Sequence, residues 1–229
     1  MVAAVPLAAS RALADGAVVD KVYAPYVTAL EREIEYRVIA QNDKRTNLDG
    51  FWVHRLGFGA SLNDRWFGEV YVTADRTHTN DFSLAGYELE ALWQLTEQGE
   101  FWMDWGLLFE IETERDAEFW EYSTTLLTTR AWGRWVATTN LGIIYESGDE
   151  IEDEWETALS IQGRYRLTRG FEPAVEFYAG QDTRAAGPAF VGDIPFGGGR
   201  KLHWELGVIF AIDDVSPNQT FRGLLEFEF

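Results

Sequence analysis

Residues 220–229 read TFRGLLEFEF. Phe221, Leu225, Phe227 and Phe229 fall in one phase with Gly223, and Arg222, Leu224, Glu226 and Glu228 fall in the other. Successive side chains on an extended strand leave opposite faces, so this is an apolar row backed by a mostly charged one. The same alternation recurs upstream. Tyr87, Leu89, Ala91, Trp93 and Leu95 oppose Glu88, Glu90, Leu92 and Gln94, and Leu202, Trp204, Leu206, Val208, Phe210 and Ile212 oppose Lys201, His203 and Glu205.

Followed along the chain, the pattern predicts twelve strands between residues 30 and 229. The weakest lies at 187–196, where Pro188 and Pro195 cannot donate ladder hydrogen bonds. Polar, mostly longer connections follow odd strands and shorter turns follow even ones, the asymmetry of an up-and-down transmembrane barrel with both termini periplasmic. A soluble sandwich also alternates. Its strands are most often about 5–6 residues, whereas the uncharged rows here run through strands of about 9–11, the length that crosses a bilayer obliquely. Trp93, Trp155, Tyr165 and Trp204 near row ends fit an interfacial girdle. The predicted fold class is therefore all-β, a transmembrane antiparallel barrel of about twelve strands in the bacterial outer membrane, with lipid as its outer partner.

Composition narrows the function. The 229 residues carry a formal charge of -19, with sixteen arginines, three lysines and no cysteine. Such acidity disfavours nucleic acid as a partner, since phosphates need Lys and Arg. The missing thiols exclude disulfides and thiolate chemistry. Residues 1–14 are small and apolar, with an A-x-A site at Ala12–Ala14, and are expected to be a truncated signal segment. Residues 15–29 are expected to form a periplasmic lead-in, and residues 30–229 the barrel.

The terminal strand resembles the closing strand of bacterial outer-membrane β-barrels. That resemblance implies that Phe221, Leu225, Phe227 and Phe229 form the signal read by the outer-membrane assembly machinery. KVYAPYV, EREIEYR, YELEALWQLTEQGE, WETAL, FEPAVEFYAGQDTR and KLHWELGVIF are similar to stretches of a group of small, transporter- or porin-like barrels of Gram-negative bacteria. This resemblance covers about residues 22–229 and implies an architecture, with no catalytic role attached.

The residues themselves carry no G-x-S-x-G or H-E-x-x-H pattern. Some twelve-stranded outer-membrane proteins are phospholipases with Ser, His and Asn on the lipid face, and no such set stands in these rows. His54 is expected at the outer interface, His78 in a solvated loop and His203 in a hydrogen-bonded lumen position. The run SGDEIEDE is rich in oxygen ligands but lacks EF-hand spacing, so a solvated charge run is expected, with no metal and no cofactor. Charge accumulates on the inward rows, with Glu88, Glu90, Glu110, Arg164, Arg166, His203, Glu205 and Arg222 as candidate lumen-lining residues. Gly57, Gly59, Gly142 and Gly180 on those rows are expected to leave room. Twelve strands lie between filled eight-stranded barrels and open porins. The expected function is a narrow passive channel for small solutes, non-enzymatic, with a weak cation preference. A plugged structural barrel or a scaffold for partner proteins is the alternative, with a lipid-modifying enzyme behind it.

Phe229→Ala tests the assembly reading. The variant is expected to remain unassembled and be degraded in cells, as read by outer-membrane fractionation and immunoblot. Normal levels in the outer membrane would contradict it.

Overall fold

The computed structural model describes residues 18–43, 49–76, 82–115, 118–149, 151 and 153–229. The expected signal segment over 1–14 and His78 lie outside the described residues. Twelve strands follow in order: β1 (Arg32–Asn42), β2 (Phe51–Ser61), β3 (Trp66–Arg76), β4 (Ser83–Gln94), β5 (Asp104–Glu114), β6 (Phe119–Trp132), β7 (Trp135–Gly148), β8 (Glu154–Tyr165), β9 (Glu172–Ala179), β10 (Arg184–Gly197), β11 (Arg200–Ala211) and β12 (Gln219–Glu228). Each pairs antiparallel with its sequence neighbour, and β12 returns to β1, closing the sheet. The seam runs from Glu33 opposite Glu228 to Asn42 opposite Gln219, with Phe229 N donating to Arg32 O at 2.8 Å. Closure satisfies every strand edge within the sheet, which water-free hydrocarbon demands.

Side chains distribute inside-out relative to a soluble protein. Leu56, Val70, Leu89, Ile143, Val175 and Leu206 are exposed on the outer wall, each at 51–64 %. Inside, Glu35 and Glu176 are 0 % exposed and Arg37 2 %. A soluble fold would reverse this assignment, because apolar surface gains by leaving water and carboxylates lose. The wall therefore suits lipid, and the lumen holds the charge.

The start of β1, the end of β12 and the turns after even strands share one rim, here the closing rim. Connections after odd strands, those from β1 to β2 and from β11 to β12 among them, gather at the opposite, loop rim. Outward aromatics band both. Trp66 stacks on Trp93 at 5.1 Å and Trp135 meets Tyr165 at 4.9 Å near the closing rim. Tyr145 meets Trp155 at 4.9 Å near the loop rim, where Tyr36 Oη lies 2.7 Å from His54 Nδ1. Trp204 sits farther from its rim, beside Tyr36, Leu206 and Leu225 in a shallow hollow over Gly223.

The weakest predicted strand, 187–196, is longer than expected and paired on both sides. Pro188 lies opposite Val175, while neither Gly187 nor Pro188 takes a partner on β11. A Cβ at Gly187 would stand 1.9 Å from Val208 O, so only glycine allows this backbone approach. The missing proline donor is thus absorbed by a local gap, and the register with β11 continues unchanged at Ala189.

Arginine on the two faces tests the orientation. Leu206→Arg, in the lipid band, is expected to cost about 2–4 kcal/mol in a detergent or bilayer unfolding titration. Thr125→Arg, facing the acidic lumen, is expected to be tolerated far better. Equal losses would contradict the inside-out assignment.

Candidate functional site: the lumen and the segment inside it

Residues 18–29 of the expected periplasmic lead-in lie within the barrel. Val18 packs over Gly180, and Val19 and Val22 bury themselves with Tyr178, Ala185 and Ile209, toward the loop rim. Tyr26 Oη donates to Asp104 at 2.7 Å and Val27 N to Gln94 Oε1 at 2.7 Å, toward the closing rim. The segment thus descends the lumen. It then reverses into β1 through a turn in which Glu31 N donates to Thr28 O and Leu30 takes φ 66°.

This segment belongs to no strand, so its buried backbone needs side-chain partners. Asn140 supplies two: its Oδ1 accepts from Tyr23 N and its Nδ2 donates to Tyr23 O, both at 2.8 Å. Tyr178 Oη lies 2.8 Å from the Asp20 carbonyl. Pro25, which has no N–H to satisfy, packs against Gly106, where a Cβ would stand only 2.8 Å from the ring.

Two adjacent residues anchor the segment by charge. Asp20 Oδ2 lies 3.1 Å from Arg37 Nη1 and 3.0 Å from Arg55 Nη1. Lys21 bridges Glu35 and Glu226, the latter at 2.9 Å. Arg37 also bonds Glu35 through Nε, and its Nη2 donates to Tyr23 Oη and Tyr71 Oη. Tyr23 Oη in turn donates to Glu90 at 2.6 Å. On β9–β12 lies a second network, joined to the segment through Tyr178 Oη, which lies 2.8 Å from Glu176 as well as from the Asp20 carbonyl. Arg222 donates to both oxygens of Glu176 and to Glu205 at 2.7 Å, and His203 places Nδ1 2.8 Å from Asp193 and Nε2 3.1 Å from Glu205.

The lumen is therefore asymmetric. Beside the segment, against β4–β8, lies a chamber of about 140 Å³ lined, among the described residues, by seven carboxylates and two cationic side chains. Strand register explains the concentration. Glu88, Glu112, Glu121 and Glu146 are directly opposite one another across β4, β5, β6 and β7, and Glu154 of β8 continues the row. A parallel row runs Glu69, Glu90, Glu110 and then Ser123, whose hydroxyl donates to Glu110.

Carboxylate oxygens of Glu33, Glu35 and Glu226 lie within 4.8 Å of one another, as do those of Glu88, Glu90 and Glu110. Lys21 already bridges two of the first set, and the guanidinium groups of Arg37 and Arg55 reach Glu90 and Glu88 in the second. At the loop rim, the Ser216 hydroxyl and then its backbone N–H bond the Asp213 carboxyl and hold it below its usual range.

The sequence-derived residues divide accordingly. Glu88 and Glu110 line the chamber, and Glu90 ties to Tyr23. His203, Glu205 and Arg222 meet in the second network, away from it. Arg164 is only part-buried, 3.3 Å from Glu172. Arg166 is a correction: it lies one residue beyond β8, exposed in the turn, because the strand ends at Tyr165. The glycines are another. The space over Gly57 is taken by Tyr71, that over Gly59 by Phe67 and that over Gly180 by Val18, and only Gly142 adjoins the chamber. Phe221, Leu225 and Phe229 stand exposed on the outer wall, with Phe227 stacked on Phe229.

Sequence reasoning missed Asp20, Lys21, Tyr23, Tyr26, Asn140 and Gln94. One signal was present: a short tyrosine-rich stretch broken by proline, with an Asp-Lys pair before it, is too apolar for a solvated tail and too irregular for a strand.

These features define a transmembrane β-barrel of the outer-membrane type with an occupied lumen. Known structures agree on the fold. The COG4313 outer membrane channel from Pseudomonas putida F1 superposes with a TM-score of 0.63 at 16% identity, covering 92% of this chain and 98% of that one. The KdgM porin in complex with disordered oligogalacturonate gives 0.56 at 11% identity, over 86% and 98%. The translocator domain of autotransporter NalP from Neisseria meningitidis gives 0.51 at 10%, over 89% and 88%. No protein-family model matches the chain, and no curated protein matches it.

Removing one ion from a buried network costs far more than removing an exposed one. Arg222→Met, which strands Glu176 and Glu205, is expected to lose about 3–5 kcal/mol in a denaturant titration. Arg65→Met, from the exposed pair with Glu97, is expected to lose about 0–1 kcal/mol. Similar small losses would contradict the buried network.

Proposed function

We propose that the protein is a narrow passive channel of the Gram-negative outer membrane, with the closing rim in the periplasm and the loop rim outside. Small solutes pass along the β4–β8 side, between the wall and the resident segment, and cations are preferred. The observation that carries this reading is the chamber of about 140 Å³, where seven carboxylates face two cations among the described residues. Fixed carboxylates in a narrow passage raise the local cation concentration, an effect screened over about 10 Å at 0.1 M salt. An acidic oligosaccharide such as the one in the KdgM complex would meet like charge here. Assembly through the usual outer-membrane machinery follows from the terminal strand.

One observation favours a second reading, a plugged structural barrel: the segment is tied to the wall at Asp20, Lys21, Tyr23, Tyr26 and Val27. Single-channel recording in planar bilayers separates the two. The channel reading predicts a small conductance with a cation-selective reversal potential in a salt gradient, fading at high salt. Glu110→Gln with Glu121→Gln is expected to move that potential toward zero with the melting temperature retained, since neither group forms the anchors of the segment. Absence of conductance at any salt, or anion selectivity, would leave the structural reading.

A further inference from the structure

We infer that the outer wall at the loop rim holds a binding site for a phosphorylated glycolipid of the outer leaflet, built on His54 and Arg76. His54 stands on the outward row of β2, opposite Val38 on β1 and Ala74 on β3. Three rings surround it, with centroids at 6.0 Å for Tyr36, 6.1 Å for Trp52 and 5.3 Å for Phe82, which meets it edge-on. Arg76 ends β3 on the same face, opposite Trp52, and is exposed. Ionisable side chains on a lipid-facing wall call for a partner of opposite charge, because hydrocarbon gives them none.

The polar atoms left over point to an anion. Tyr36 Oη lies 2.7 Å from His54 Nδ1 and so occupies that nitrogen. Nε2 has no partner among the described residues, and a ring whose Nδ1 accepts from tyrosine carries its N–H at Nε2. Arg76 forms no ion pair among the described residues either, although the chain as a whole carries a charge of -19. Its neighbour Asp75 lies on the inward row and accepts from Ser83. An imidazole and a guanidinium on neighbouring strands, with only the methyl of Ala74 opposite the imidazole, leave a pair of donors for one phosphate. The register between β3 and β4 also shifts at Ala74, and such a bulge bends the wall locally.

The rest of the patch selects the ligand. Trp52 and Phe82 are 41 % and 62 % exposed beside the strand ends, and their π faces suit the C–H edges of a sugar ring. Toward the middle of the wall, the outward rows of β2 and β3 continue as Leu56, Phe58, Val70 and Val72, all exposed to acyl chains. Phosphate donors at the rim, sugar-stacking rings beside them and an apolar wall beneath match an acylated saccharide that carries phosphate. A glycerophospholipid supplies the phosphate and the chains but no sugar ring for the aromatics. The outer leaflet of a Gram-negative outer membrane is built largely of such phosphorylated glycolipid. The inference therefore rests on the loop rim facing outward, as proposed above, but not on conduction.

The purified full-length barrel in detergent is titrated with lipid A, with dephosphorylated lipid A and with phosphatidylglycerol, and retained lipid is counted by native mass spectrometry. One lipid A per barrel is expected, held at least about tenfold better than either comparison lipid, the scale of one charge-assisted hydrogen bond. His54→Gln with Arg76→Gln is expected to weaken that retention by about tenfold or more while the melting temperature holds, since both side chains stand on the outer wall. Arg76→Gln alone, at the exposed strand end, is expected to lose about threefold. Arg130→Gln, beside Trp102 at the closing rim, is expected to leave retention unchanged. No lipid A retained, equal retention of either other lipid, or an affinity indifferent to positions 54 and 76 overturns the inference. Orientation is read separately, by labelling Asp214→Cys, in the exposed loop before β12, with a membrane-impermeant maleimide on intact cells. A labelled thiol without lipid A retention refutes the inference alone, and a protected thiol refutes the orientation and the outer-leaflet ligand with it. A barrel that retains lipid A through the site but passes no current refutes the channel reading alone.

Discussion

The Asp20–Lys21 pair is the contact on which the lumen depends. Two neighbouring residues of opposite charge meet two clusters of opposite charge on the wall: Asp20 takes Arg37 and Arg55, and Lys21 takes Glu35 and Glu226. Buried ions survive only when paired and hydrogen-bonded, because the medium gives back little of their lost hydration. Without the segment, Arg37 would keep Glu35 and Glu90, but Glu226 would lose its ammonium and Asn140 both of its backbone partners. Wall and segment are therefore one electrostatic unit. The segment is an internal part of the barrel, not a tail resting in it.

That unit also explains why the open space lies to one side. Arg222, His203 and Lys201 pair with acids on β9–β12, and Arg37 and Lys21 neutralise those on β1 and β12. Against β4–β8, Arg55 and Lys21 are the cations of the chamber wall among the described residues, and glutamates stand side by side at two adjacent levels of register. Packing and charge thus agree: the side with matched ions is filled, and the side where carboxylates outnumber cations among the described residues keeps a cavity.

The barrel was legible because its outer wall obeys a two-residue period that lipid enforces on every strand. Leu206 and Phe221 had to face out once Glu205 and Arg222 faced in. Both faces of one strand can be read from that strand alone, so strand number and loop asymmetry followed. The interior was less legible because its partners come from distant strands. Nothing local to Gly57 says that Tyr71 fills its space, and nothing local to Asn140 says that it caps the backbone of Tyr23, 117 residues earlier. The glutamate row escaped notice for the same reason: each member looks like an ordinary inward charge until register sets them side by side. Arg166 was misplaced by a simpler cause, an alternation continued one residue past the last pairing of β8.

The segment's place in the lumen is the claim from which the rest follows, and a cross-link tests it directly. The chain has no cysteine of its own, so introduced thiols report without background. In a Val18→Cys, Gly180→Cys double variant, where the Cβ of residue 18 lies 3.7 Å from the place a Cβ takes at residue 180, mild oxidation of the folded barrel should join the two positions as a disulfide, seen as a gel-mobility shift reversed by reductant and located by mass spectrometry. The account predicts that this bond forms. Two free thiols after oxidation, with the one at position 18 readily labelled by a bulky maleimide reagent in the assembled protein, would contradict it.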